Sequence, residues 1–189
     1  MMLKSNHPLE KTIQNITYKG ITFEVVERPD VLWVGCVDYA SNNEDESDIG
    51  ATLTRYREEL IGVVKQELVM PDWSASLSIN YSNESQPNGL MFAQETASDE
   101  QDERYELVTQ PGGLWLRICC NKEANLAFFG DENTEIWRYF ADDVLQEAAK
   151  ENGYQENPDV HVQVEYHCHA EYETPPHRCY AYIPIIKMG

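Results

Sequence analysis

The stretch RPDVLWVGCV (residues 28–37) lies over QPGGLWLRIC (residues 110–119), with Pro29 over Pro111, Leu32 over Leu114 and Trp33 over Trp115. A fixed offset of this kind marks an internal repeat, and a repeat decides how the rest of a chain is read. After each copy comes a helical pattern with the same dipeptide: LTRYREEL (53–60) matches IWRYFADD (136–143), Arg55-Tyr56 over Arg138-Tyr139. Beyond a proline in each half, Pro71 and Pro158, runs an alternating strand, SINY (78–81) beside QVEY (163–166). Three matches in the same order point to a duplicated strand–helix–strand–strand unit.

Periodicity assigns the elements. Ile21–Glu27 and Val31–Tyr39 read as paired strands around a turn at Arg28-Pro29-Asp30, where proline presets φ. Leu53, Leu60 and Val64 give the first helix its apolar stripe. Ser76–Tyr81 and Leu90–Glu95 form a hairpin around SNESQPNG (82–89), whose Pro-Asn-Gly favours a turn. In the second half, Tyr105–Thr109 and Leu114–Cys120 flank Pro111-Gly112-Gly113. Ile136, Phe140, Val144 and Ala148 line one helix that starts near Asp131 and stops at Gly153. Val160–Cys168 and Cys179–Ile185 make the last hairpin. The expected fold is α+β: two such modules in a mostly antiparallel sheet, with helices on one face and a ligand cleft on the other. Residues 1–20 are then an extension, and 21–187 a single domain of two pseudo-repeats, 21–96 and 103–187. The acidic segments NNEDESD (42–48) and TASDEQDE (96–103) lack a period and read as solvated loops, the second joining the repeats.

The chain has 189 residues, 42% of them hydrophobic, enough to bury a core. Its 33 acidic and 14 basic residues leave a formal charge of -19, which repels nucleic-acid phosphates and leaves no basic patch to offset that. No apolar run is long enough for a signal peptide or a membrane span, so no membrane association is expected. Five cysteines without a paired C-x-x-C pattern suit a reducing cytosol, and a cytoplasmic protein is expected.

VHVQVEYHCHAEYE (160–173) gathers histidine, cysteine and glutamate. Alternation sends Val160, Val162, Val164 and Tyr166 one way, toward the helices, and His161, Gln163, Glu165, His167 and His169 the other way. His167 and His169, with His177 or Cys179 on the next strand, offer metal donors. H-x-H matches no closed zinc pattern, however, so neither a metal nor a cofactor is assigned. Glu165 has two readings: a solvated strand residue, or a carboxylate on an aromatic-lined face that a cation would compensate. Asn80, aligned with it in the first half, is neutral.

The segments ERPDVLWVGCV, QPGGLWLRICC, QVEYH and AYIPI resemble the GyrI-like small-molecule-binding domain, the effector-binding part of some AraC- and MerR-type multidrug-responsive regulators. The resemblance covers roughly residues 21–187 and implies a tandem strand–helix–strand–strand fold with a ligand cleft between the halves. It implies binding of bulky, lipophilic, often cationic compounds, with Glu165 as the acidic residue that reads the charge. The family strand runs aromatic-Glu-x-Tyr, whereas here Tyr166 follows Glu165 directly and His167 stands where the tyrosine belongs. Some standalone members are hydrolases that open cyclopropane rings of DNA-alkylating natural products, which would make Glu165, with His167, the water-activating group. Others inhibit DNA gyrase, which would make the acidic surface a protein-docking face. Among the aromatics, Trp33 and Trp115 hold matched places, structural or ligand-facing. Trp137 fills the core or closes the cleft, and Tyr39, Tyr81 and Tyr180 sit where they could line it. Arg55 and Arg138 read as helix-surface residues bridging carboxylates.

Overall fold

The computed structural model describes residues 10–39, 48–60, 69, 72–81, 83, 85–168 and 179–189. Its elements run β1 (Lys11–Tyr18), β2 (Ile21–Arg28), β3 (Val31–Asp38), α1 (Ile49–Arg55, continued as a π-helical turn over Tyr56–Leu60), β4 (Trp73–Ile79) and β5 (Gly89–Thr96). The second half follows with β6 (Glu106–Gln110), β7 (Gly113–Cys119), α2 (Lys122–Phe129), α3 (Arg138–Ala141), α4 (Val144–Glu151), β8 (Tyr154–Glu156), β9 (Val162–Cys168) and β10 (Cys179–Lys187). These ten strands form one open α+β sheet in the order β1-β2-β7-β10-β9-β4-β5-β3-β6, with β8 on β10. Every pairing is antiparallel.

The duplication is present in this order, but the halves are interlocked. β2 and β3 are not a hairpin, contrary to the expectation from Arg28-Pro29-Asp30. β2 pairs with β1 and with β7 of the second half, while β6 crosses reciprocally to pair with β3 of the first. In the sheet, β2 and β3 stand six strand spacings apart, about 29 Å if the sheet were flat. The two residues joining them span at most about 11 Å from Arg28 to Val31. The same mismatch holds for β6 and β7, so the sheet has to curl until its two ends meet. There the links cross: the Gly112 N–H donates to Asp30 Oδ1 at 2.6 Å. Beside it Trp33 Nε1–H of β3 donates to Gln110 Oε1 of the neighbouring β6 at 2.9 Å.

Curling divides the sheet into an outer face that carries the helices and an inner face that packs on itself. The first helical group, through Tyr56 and Leu60, packs on Val34, Cys36 and Phe92. The second, through Ala124, Tyr139, Val144, Leu145 and Ala148, packs on Val25, Leu116, Ile118, Ala181 and Ile183. The inner face closes around Val26, Trp33, Leu77, Met91, Trp115, Val164, Tyr166, Tyr180 and Tyr182. Two expectations are therefore corrected. The face away from the helices is a filled core, not a free cleft. Val162, Val164 and Tyr166 point into that core, away from the helices, so Glu165 and His167 are the residues on the helix side.

The second-half helix also differs. The pattern expected from Asp131 to Gly153 is two short helices, broken where Asp143 takes φ 56°, a left-handed conformation that aspartate tolerates better than most residues. α2 was not expected. Asn121 caps it through the Ala124 N–H at 2.9 Å, and Gly130 ends it at φ 71°. β1 lies inside the segment read as an extension. It joins β2 through Lys19 and Gly20, both at positive φ, the geometry of a tight hairpin turn.

The crossing gives a direct test of the curl. A Cβ on Gly112 would lie 2.9 Å from Asp30 N and Pro29 C and 3.0 Å from Arg28 O, all backbone atoms that cannot step aside. We expect Gly112→Ala to cost about 2 kcal/mol or more in urea unfolding. Gly130→Ala, where no atom lies within 4 Å and only the positive φ opposes it, should cost about 1 kcal/mol.

Candidate functional site

Two polar constellations stand out, one on each face. The inner one lies among the aromatic side chains. Arg28 and Arg117 are buried there beside Glu10, Glu24 and Glu95. Arg117 is held by Glu24, at 2.8 Å from Nη2, and by Glu10, and its guanidinium lies 5.2 Å from the Tyr180 ring centroid. Arg28 Nε lies 3.2 Å from Glu10 and its Nη2 4.0 Å from Glu95, with the guanidinium 4.9 Å from the Tyr182 ring centroid. Among the described residues the Arg28 nitrogens make no hydrogen bond, and charge pairing and a ring face compensate that cation there. Tyr182 donates to Glu10 and Tyr166 to Glu95, each at 3.4 Å, and burial pushes both phenols up. This cluster draws on the segment before β1 and on β2, β5, β7, β9 and β10. Its charges are compensated from within, which marks it as the fastening of the curled sheet.

The outer constellation is built by the repeat. Carrying the match of Trp33 over Trp115 across the register places Cys36 over Ile118 and Phe92 over Ala181. The next pair is Ser76 over Glu165. The row Cys36–Phe92–Ser76–Glu165–Ala181–Ile118 crosses the helix face, with Ser76 directly opposite Glu165 where β4 meets β9. The pseudo-twofold axis passes between these two residues. Glu165 is thus the counterpart of Ser76; the alignment with Asn80 was four residues out of register. Ser74 lies opposite His167 and Ser78 opposite Gln163, so three cross-strand pairs make a polar stripe along the axis. The first helical group packs on β3 and β5, and the second on β2, β7 and β10. Between these groups Ser76, Ser78, Gln163 and Glu165 remain partly exposed, and the Glu165 side chain keeps 23% of its surface open. This stripe, floored by β4 and β9 and flanked by helices, is the candidate site.

Beside Glu165 stands His167, its Nε2 3.7 Å from Glu165 Oε2. The ring's other nitrogen, Nδ1, lies 3.4 Å from the Cys179 sulfur on β10. Cys120, fully buried beside them on the β7 side, has its thiol pushed well up by burial, with Cys119, Cys179 and Glu165 adding to the shift. The stripe therefore offers hydroxyls, an amide, a carboxylate and an imidazole, with the buried thiols of Cys120 and Cys179 beside it.

The other residues singled out by sequence do not join Glu165. Trp33, Trp115 and Tyr180 are buried in the inner core, on the opposite face of the sheet. Tyr81 is half-buried just past β4, where its hydroxyl donates to Glu156 and lies 3.4 Å from the Val160 carbonyl. Tyr39 and Trp137 are exposed, Trp137 by 55%, at the end of β3 and at the start of α3. Arg55 and Arg138 bridge Glu59 and Asp142 one turn along their helices, as their surface placement suggested. His169 and His177 lie outside the described residues. Among the described residues no group of three or more His, Cys, Asp or Glu is placed to hold a metal ion. No described helix is long and apolar enough to cross a membrane. Sequence reading passed over the serines of β4, although the alternation in SASLS (74–78) announced them. It also passed over the inner charges, which lie far apart in the chain.

No protein-family model matches the chain, and no curated protein matches its sequence. Among solved structures, the fold is similar to that of an integron cassette protein from the mobile metagenome of Vibrio cholerae. The identity is 12% and the TM-score 0.50, over 87% of this chain and 95% of that one. At this identity the likeness is one of fold.

The two constellations should separate in stability measurements. Glu10→Ala removes the carboxylate that the two buried guanidinium groups share, and we expect a loss of about 3 kcal/mol in urea unfolding. Glu165→Gln, on a half-open stripe, should change stability by less than about 1 kcal/mol.

Proposed function

We propose that the protein binds bulky lipophilic cations in the groove between its two helical groups, with Glu165 as the residue that reads the charge. The observation that carries this reading is the asymmetry at the pseudo-twofold axis. A duplicated sheet would place the same residue on both sides of the axis, yet one side holds Ser76 and the other Glu165. The result is a single half-desolvated carboxylate on a floor of neutral hydroxyls and amide. No arginine or lysine ion pair to Glu165 occurs among the described residues; the His167 imidazole lies 3.7 Å from it.

A carboxylate so placed keeps part of its desolvation cost, and a delocalised organic cation lowers that cost without a strongly hydrated charge of its own to strip. The formal charge of -19 supports the reading at longer range, since it raises the local concentration of cations. The resemblance to GyrI-like domains is a further support, because it implies the same ligand class and the same glutamate. Sensing or sequestration of such compounds follows directly from binding them.

The test compares two ions of nearly equal size and opposite charge, tetraphenylphosphonium and tetraphenylborate, by titration calorimetry. The phosphonium should bind, and the borate should bind at least tenfold more weakly. Glu165→Gln should weaken phosphonium binding about tenfold, or ~1.4 kcal/mol. Equal affinity of wild type and Glu165→Gln for the phosphonium would remove the carboxylate from the account.

A further inference from the structure

Where Glu165 marks the axis, a second carboxylate stands at one end of the same stripe. Glu156 on β8 lies opposite Ile185 of β10, and Glu165 on β9 lies opposite Ala181 of that same strand. Residues directly opposite in a sheet share a face, and Ala181 and Ile185 both belong to the core under the second helical group. Glu156 and Glu165 are therefore on the helix side together, four positions of β10 apart, or about 13 Å along the strand. Gln163 stands between them. It precedes Glu165 by two residues on β9, and its Nε2–H donates to Glu156 Oε1 at 3.1 Å. Both glutamates are partly exposed.

Glu156 is rich in hydrogen bonds and poor in compensating charge. Tyr81 and Gln163 donate to Oε1, and Gln146 of α4 donates to Oε2 at 3.5 Å. A carboxylate has about four acceptor positions, so three donors nearly fill it. All three are neutral. Burial pushes the Tyr81 phenol up, and the bond to Glu156 adds to the shift, so this donor stays protonated. Cations on neighbouring elements pair elsewhere, Lys19 with Glu147 and Arg138 with Asp142. A ligand that needed many hydrogen bonds would find few places free on Glu156. One that brings charge alone fits it, which is the character of a quaternary or delocalised cation. A compact cation seated on Glu165 cannot serve Glu156 as well, because their spacing exceeds the roughly 8 Å Debye length of physiological salt.

We propose that the groove takes elongated dications, with one head over Glu165, the other at Glu156, and the linker along Ser78 and Gln163, which face each other across β4 and β9. The proposal rests on the cation-binding reading above and gives it a ligand class. That class is two quaternary or delocalised cationic heads joined by a linker long enough to cross from Ala181 to Ile185. Tyr81, Gln146 and Gln163 act as positioning residues, holding the second carboxylate without neutralising it.

Titration calorimetry with two ions of the same chain length tests this. Decamethonium carries a trimethylammonium head at each end of a decane chain, and decyltrimethylammonium carries one head only. The single-headed ion is the more lipophilic, so apolar contact alone would favour it. Decamethonium should bind the wild-type protein about tenfold more tightly. Glu156→Gln should abolish that advantage and leave decyltrimethylammonium affinity within about twofold, whereas Glu165→Gln should weaken both ions. Glu123→Gln removes the same charge from exposed α2, which packs on β2, and should preserve the advantage. An ethane-bridged bis-trimethylammonium ion, its heads too close together, should lack it. Decyltrimethylammonium binding that needs Glu165, with no gain for decamethonium, would overturn the dication proposal and leave the single-cation reading intact. Binding of both ions that ignores Glu165 would remove that reading and this proposal with it. A decamethonium advantage that survives Glu156→Gln, or falls equally in Glu123→Gln, would reduce it to the general acidic field and also overturn the proposal. The wild-type comparison of the two ions stands without any variant.

Discussion

Two links of two residues each hold this fold in its shape. Pro29-Asp30 and Pro111-Gly112 join strands that stand six positions apart in the sheet, a distance neither link can span across a flat surface. The sheet curls because the chain cannot otherwise be connected. The links then meet at the repeat axis, where Asp30 of the first accepts from the Gly112 N–H of the second and a side chain on Gly112 would have no room. Reciprocal exchange of β2 and β6 makes the two halves one object, since each module completes its sheet with a strand from the other.

Curling gives the two faces different work. The inner face is sealed, and any charge there must find its partner inside. Arg28 and Arg117 do so with Glu10, Glu24 and Glu95, at the cost of removing both guanidinium groups, Glu10 and Glu95 from water. Glu10 precedes β1, so this network fastens the start of the described chain into the core. The outer face cannot be covered completely, because each helical group follows its own half and the axis runs between them. A polar stripe can remain there at reduced cost, since water still reaches Ser76, Ser78, Gln163 and Glu165. Stability is therefore set on the inner face, while the outer face keeps a partly exposed polar stripe.

Much of this was legible in the sequence. The repeat of Pro29-Leu32-Trp33 over Pro111-Leu114-Trp115, the β4–β5 and β9–β10 hairpins and the α+β class all followed from local pattern. Strand exchange did not, because a two-residue link containing proline looks the same whether it closes a hairpin or turns a corner; only partners far along the chain decide. That error propagated. Without the curl, the valines of β9 were assigned to the helix side, and Glu165 was placed opposite its true face. The match of Tyr81 with Tyr166 was a local coincidence, whereas hydrogen-bond register carries Ser76 onto Glu165. The break at Asp143 escaped notice because Ile136, Phe140, Val144 and Ala148 keep helical spacing through it. Glu156 and Glu165 share a face through β10, a relation between strands that could not be read from either segment.

The proposed ligand site lies on the helix face at the axis, over the Ser76–Glu165 pair. A crystal structure with tetraphenylarsonium, whose arsenic scatters anomalously and marks its own position, tests it most directly. The arsenic peak should fall between the two helical groups, above Ser76 and Glu165. A peak on the inner face beside Trp33, Trp115 and Tyr180 would contradict it and return the site to the other side of the sheet.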